Sequence, residues 1–303
     1  GKLGQRKGGT TLREWVERKA VWDWERSEYI KAVLARSDDE KPGITKRYAD
    51  NAESVTRLHI LPYHGDELIE EITPAMCEDL LFRWIENGLA HKTANNNRSV
   101  YSTIMAEAKR LGFIGRNPWD DVPSLSPRST PKGAFNIDDV QALLSDKDAA
   151  IADDAANLYY HATKLAFLTG LRISEVTGLV TDDVVDAEIE RDGKTLRISY
   201  LHVRRQWSQV AKARVPVKDK DARKIPLMPE LREEIDQFLT GSGRYLFSFH
   251  PRQEQPLTAN RLREWLYKRM DEVGIDRVDG NGNTKTFHST RRFFNTLLRR
   301  SGT

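Results

Sequence analysis

The chain has 303 residues, enough for two domains, with 39% hydrophobic residues, 31% charged residues and a formal net charge of +3. No apolar run approaches the length of a membrane span, and no signal sequence opens the chain. A single cysteine, Cys77, excludes a disulfide framework and a cysteine-rich metal site, and the seven histidines are scattered. Composition therefore describes a soluble globular protein of a reducing cytoplasm, with neither metal nor organic cofactor expected. The chain opens on glycine rather than methionine, as a processed or cut polypeptide does. Its basic charge is unevenly spread. Residues 284–303 carry Lys285, Arg291, Arg292, Arg299 and Arg300 with no acidic residue, and residues 1–7 carry Lys2, Arg6 and Lys7 unopposed. Such basic segments point towards nucleic acid.

Residues 1–10 read as a glycine-rich basic lead-in. From Thr11 to about Arg36 the pattern is helical, with Leu12, Trp15, Val16, Trp22 and Tyr29 as core candidates. Pro42-Gly43 marks a turn, and a second helix is expected from Thr45 to about Ile60, stopped by Pro62. Thr73-Pro74 supplies an N-cap and a first-turn proline for a third helix, whose stripe is Leu80, Leu81, Trp84 and Ile85. A fourth follows His91, with Val100, Ile104, Ala108 and Leu111 inside. Its first turns bear Lys92, Thr93, Asn95, Asn96, Asn97 and Arg98, which suit a DNA groove or equally a solvated polar face. Nothing in residues 11–122 calls for a strand, so this reads as an all-helical domain. Residues 123–133, with three prolines, serines and basic residues, read as an extended linker, and residues 134–303 as a second domain.

In that second domain Leu158, Ala162, Leu165 and Ala166 recur at helical spacing, and Thr169-Gly170 breaks the helix. A second helix follows, with Ile173, Val176 and Leu179 inward and with Arg172 and Glu175 three residues apart on one face. That pair is either an ordinary surface ion pair or a guanidinium held ready for a phosphate. Beyond Leu179 the period changes to two. Asp192-Gly193 signals a hairpin, with Leu196, Ile198 and Tyr200 alternating on its far strand. A further pair is expected between residues 214–217 and 223–227, joined by a charged turn that carries Lys218 and Lys220. Helices are then expected over 231–239 and from Thr258 onward. Last comes a terminal helix with Phe294, Leu297 and Leu298 on its apolar side.

LAFLTGLRISEVTGL, the lysine-bearing VKDKDARKIPL and HSTRRFFNTLL stand in this order behind a helical domain and a Pro/Ser linker. Together they closely resemble the tyrosine recombinase (phage integrase) family over nearly the whole chain. EEITPAMCEDLL and IGRNPWDDV are similar to segments of its core-binding domain. The resemblance implies a mainly α protein with a small antiparallel β-sheet in the second domain: an all-helical SAM-like core-binding domain followed by an α+β catalytic domain. Carried over residue by residue, it implies Arg172 and Arg291 as a guanidinium clamp on a DNA phosphate, with Glu175 holding Arg172. Lys218 would be the general acid for the departing 5′ oxygen, with Lys220 as runner-up, and His288 would assist at the phosphate. Lys92, Thr93, Asn95, Asn96, Arg98, Lys132 and Arg292 are the expected DNA contacts.

The implied activity is site-specific recombination through a 3′-phosphotyrosyl intermediate, without metal or nucleotide cofactor, for integration or excision of a mobile element. The implied partners are double-stranded DNA at a recombination core site, further copies of the chain as a homodimer or tetramer on it, and an accessory DNA-bending or directionality factor. One departure is large. The family's nucleophilic tyrosine follows the His-x-x-Arg box, whereas no tyrosine here lies beyond Tyr267. The chain as given is accordingly expected to bind DNA without covalent cleavage. A non-catalytic DNA-binding regulator of the same fold and a type IB topoisomerase-like nicking enzyme are the alternatives.

Overall fold

The computed structural model describes residues 9–37, 43–126, 131–145, 153–191, 193–217, 222–249, 252, 254–300 and 302. The chain divides into two compact units, Gly1–Ser129 and Thr130–Thr303.

The first unit is helical: α1 (Leu12–Lys19), α2 (Glu28–Ala35), α3 (Lys46–Val55), α4 (Leu61–His64), α5 (Pro74–Glu86) and α6 (His91–Arg110). Among its described residues the only β feature is an isolated bridge between Thr11 and Leu68. Local chemistry sets the helix ends. Thr11 and Glu14 form a reciprocal capping box, and Thr45 and Thr73 accept from backbone N–H groups three residues on. The single long helix expected over 11–36 is two helices, because Ala20 adopts a left-handed conformation (φ 47°) and Ser27 starts α2 afresh. Pro62 does not stop the second helix either. Thr56–Ile60 widens into a π-turn and α4 continues to His64, with proline in its first turn, where a missing N–H costs least. The core is aromatic: Trp84 stacks on Trp119 at 6.3 Å, Tyr101 meets Trp119 edge-on at 5.4 Å, and Trp15 is fully buried.

The second unit is organised around α8 (Asp154–Thr169), preceded by α7 (Ile137–Leu144). Leu165, Ala166 and Phe167 of α8 are fully buried, and Phe167 contacts Phe135 on one side and Phe293 on the other. Gly170 closes α8 in the left-handed region (φ 64°), and α9 (Ile173–Gly178) follows. Strands β1 (Val184–Arg191) and β2 (Lys194–Val203) form the hairpin around Gly193, with Ile189 opposite Leu196. The inward residues of β2 are Leu201 and Val203, while Leu196 and Ile198 stay exposed, because the hairpin projects past the core.

The strands β3 (Arg205–Ser208), β4 (Ala213–Pro216) and β5 (Arg223–Leu227) correct one expectation. Residues 214–217 and 223–227 do not pair with each other. β4 pairs with β3 in a two-stranded sheet, and β5 pairs with β2, giving a three-stranded sheet of order β1-β2-β5. Helices α10 (Pro229–Asp236), α11 (Ala259–Glu272) and α12 (His288–Arg300) complete the unit. On α12 the buried residues are Ser289, Thr290 and Phe293, whereas Leu297 and Leu298 are exposed.

α9 sits directly on β3. A Cβ added to Gly178 would lie 2.5 Å from the Trp207 nitrogen and 2.8 Å from the Gln206 carbonyl carbon. Backbone cannot yield as a side chain can, so Gly178→Ala should destabilise the protein by about 1–3 kcal/mol. Gly280→Ala, where a Cβ meets nothing within 4 Å, is the control and should be near neutral. Equal urea midpoints for the two variants would contradict this close seating.

Candidate active site

The site grows from the turn between α8 and α9. Gly170 is required there twice over: its φ is positive, and a Cβ would come within 2.4 Å of the Phe294 ring. Leu171 and Arg172 then lead into α9. The Arg172 backbone N–H donates to Glu175 Oε2 at 2.7 Å, and its guanidinium Nη1 donates to Oε1 at 3.0 Å. Glu175 is 0% exposed. A second arginine reaches the same carboxylate from β5: Arg223 Nη1 donates to Oε1 at 3.0 Å and Nη2 to Oε2 at 2.6 Å. Burial alone would raise the Glu175 pKa, but the hydrogen bonds and charges of Arg223 and Arg172 outweigh it and hold the carboxyl below its ordinary range.

The other half of the site is the start of α12. Arg291 Nη1 donates to the Gly170 carbonyl at 2.6 Å, which places the last helix against the α8–α9 turn. His288, at the head of α12, has its pKa lowered first by burial and then by the positive charges of Lys132, Arg291, Arg172 and Arg292. Arg292 donates to the Lys132 carbonyl. The segment carrying Lys132 is fastened to α12 and the loop before it: the Gly133 N–H donates to the Thr284 carbonyl at 3.0 Å, and Ser289 Oγ donates to the Gly133 carbonyl at 2.7 Å. Arg172, His288, Arg291, Lys132 and Arg292, scattered across the sequence, thus form one basic cluster, with Glu175 buried beneath Arg172. Lys218 and Lys220 lie outside the described residues. The described residues beside them are Val217, whose N–H donates to the Arg204 carbonyl at 3.3 Å, and the stretch from Ala222, where Arg223 meets Glu175.

The residues singled out on α6 divide. Lys92, Thr93 and Asn96 are exposed. Asn95 donates to the Leu125 carbonyl at 2.8 Å and accepts from the Leu125 N–H at 2.9 Å. Arg98 donates to the carbonyls of Trp119 and Val122 and lies over the Trp119 ring. Both are committed to holding the segment that follows α6. Their contacts are with protein backbone, which an asparagine–arginine pattern on a helix start does not distinguish from DNA contacts.

Sequence reasoning missed Arg223. The signal was present as an arginine opening a β-strand just after the lysine-bearing turn, but pairing 223–227 with 214–217 gave it no route to Glu175.

Residues 135–303 match the phage integrase family, and the chain belongs to that family, the tyrosine recombinases. It is 23% identical over 292 residues to the transposase from transposon Tn916 of Enterococcus faecalis, covering 89% of this chain and 67% of that protein. The transposase from transposon Tn1545 of Streptococcus pneumoniae matches to the same extent. The integrase of the Tn1549 transposon, in complex with circular intermediate DNA, shares the fold with a TM-score of 0.65 at 20% identity, over 97% of this chain and 88% of that one. Lambda integrase, as a dimer bound to a COC′ core site, does so with a TM-score of 0.63 at 17% identity, over 96% and 91%.

A histidine pressed by four cations should titrate below the usual value of about 6.5. Lys132→Ala should move its midpoint upward, and so should a bound phosphodiester. The lowered pKa also sets a sign for stability: the contribution is complete above about pH 6.5 and is lost as pH falls through the folded-state pKa. Following the His288 ring by NMR from pH 8 to pH 5 checks this. A midpoint at or above that of an unfolded peptide would contradict the clustered charges.

Proposed function

We propose that this chain is the DNA-binding and phosphate-activating part of a site-specific recombinase that integrates and excises a mobile element. The observation that carries the reading is the meeting of Arg172, from the turn after α8, with His288 and Arg291, from the start of α12: Arg291 donates to the Gly170 carbonyl, and both arginines contribute to the lowered His288 pKa. A metal-free phosphoryl transfer needs fixed donors for the charge that develops on the non-bridging oxygens, and two oriented guanidiniums supply them. Glu175 holds Arg172 and the Gly170 carbonyl holds Arg291. His288, kept neutral near pH 7, is able to donate to the phosphate or accept the nucleophile's proton.

In the proposed reaction a tyrosine oxygen attacks phosphorus, the bond to the 5′ oxygen breaks, and Lys218 gives that oxygen its proton, with Lys220 as the competing assignment. Arg223, which follows both lysines closely in sequence, contacts Glu175. On this reading Tyr245, Tyr267 and Tyr200 are not the attacking tyrosine, which the family places after the His-x-x-Arg box: Tyr245 packs edge-on to Trp207, Tyr267 lies under Arg277, and Tyr200 lies under Lys224. Residues 1–303 should therefore bind DNA and polarise its phosphate without becoming covalently attached. The relatives support the biological setting: two are named transposases of mobile elements, and the structural neighbours are integrases bound to DNA as a dimer and, on a Holliday junction, as a tetramer. Assembly as a dimer or tetramer on a core site belongs to the same proposal, with exposed Lys92, Thr93 and Asn96 and the basic Lys132 and Arg292 as phosphate or groove contacts.

Duplex binding by residues 1–303 should weaken steeply as salt rises, because lysine and arginine displace condensed counterions. Affinity that stays constant from low to physiological salt would contradict a phosphate-dominated interface.

In the intact gene product, Lys218→Ala should cleave ordinary DNA slowly and recover on a 5′-bridging phosphorothiolate, whose sulfur leaves without a proton. Arg172→Ala should stay impaired on both substrates. If sulfur rescues Lys220→Ala instead, the general acid is Lys220; if it rescues neither, that role lies elsewhere.

A further inference from the structure

The Arg172–Glu175 pair poses an electrostatic problem. A carboxylate beside the clamp arginine orients it but also cancels the charge that the phosphate needs. Glu175 is wholly buried, so water does not screen it. Had Arg172 been its only counter-ion, the pair would present almost no net charge to the substrate.

Arg223 changes this balance. A carboxylate has about four acceptor positions, two on each oxygen, and Glu175 fills all of them. Arg223 takes one position on each oxygen with the two ends of its fork, at 3.0 and 2.6 Å. Arg172 takes the others with one guanidinium nitrogen and its backbone N–H, at 3.0 and 2.7 Å. The bidentate partner of the carboxylate is thus Arg223, and the trio of two guanidiniums and one carboxylate keeps a net positive charge. We propose that Arg223 is a positioning residue of the recombinase site: by serving as the bidentate counter-ion of Glu175, it lets that carboxylate fix Arg172 without neutralising it. Arg223 acts through Glu175 and need not touch the DNA. The lowered Glu175 pKa, to which Arg223 contributes strongly, agrees with this division of labour.

The proposal rests on the recombinase reading, and its test separates the two. Single-turnover cleavage and core-site affinity are measured for the intact gene product and for Arg172→Ala, Arg223→Gln, Arg223→Lys and the Glu175→Gln/Arg223→Gln double variant, each with its melting temperature. Arg223→Gln should slow cleavage on the order of 10-fold to 100-fold, less than the loss of a direct donor, with DNA affinity little changed. Arg223→Lys, which keeps the charge, should lie between the double variant and the wild type. The double variant should cleave several-fold faster than Arg223→Gln, because neutralising the carboxylate removes the need for its counter-ion. A purely structural arginine would not give that recovery. If Arg172→Ala cleaves like the wild type, the clamp reading fails. If Arg172→Ala is impaired while Arg223→Gln is not, or the double variant is no faster than Arg223→Gln, the role of Arg223 is refuted. Should Arg223→Gln fail to fold, Arg223→Lys against the double variant decides: a folded Arg223→Lys that cleaves no faster than the double overturns the proposal.

Discussion

The catalytic unit depends on one buried carboxylate. Glu175 lies at the meeting of α9, the entry to β5 and the turn after α8, and it accepts four hydrogen bonds from two arginines. Removing a buried ion's partners costs far more than a surface pair contributes, because the stranded charge loses both water and counter-ion. Arg172, beside the Gly170 turn, and Arg223, at the start of β5, therefore have little freedom to move apart. The pairing of β2 with β5, the seating of Gly178 on β3 and the docking of α12 on α8 all bring chain to this point.

Arg291 is held differently. Its Nη1 donates to the carbonyl of Gly170, a neutral acceptor. Two arginines to which the proposal gives like roles thus have unlike supports, one a carboxylate shared with a second cation and the other a backbone oxygen at a glycine turn. Both supports restrict motion, as preorganised stabilisation of an anionic transition state requires. Burial, and after it the positive charges of Lys132, Arg291, Arg172 and Arg292, lower the His288 pKa.

Most of this was legible in the sequence where the determinants are local. The Thr73 cap, the Gly170 stop, the hairpin of β1 and β2 and the Arg172–Glu175 spacing each follow from a few neighbouring residues. What was not legible depended on partners distant in sequence. Strand pairing after Val203 was misread because 205–208, a short polar stretch, gave no alternating signal, and with it Arg223 lost its link to Glu175. The inner face of α12 was misread because Phe293, beside Ser289 and Thr290, turns inward against Phe167, leaving Leu297 and Leu298 outside. At Asn95 and Arg98 the sequence leaves a groove contact and a solvated face equally open, because polar side chains at a helix start look the same whether they meet DNA, water or the carbonyls of Trp119, Val122 and Leu125.

The central claim is that Arg172 and Arg291 act by neutralising charge on the non-bridging phosphate oxygens. The most direct measurement replaces one of those oxygens by a methyl group and compares cleavage of this methylphosphonate with that of ordinary DNA. With one negative charge removed, the alanine variants should fall well short of the wild type on the phosphodiester and approach it on the methylphosphonate. A deficit of the same size on both substrates would mean that the arginines support the site's shape, not its charge.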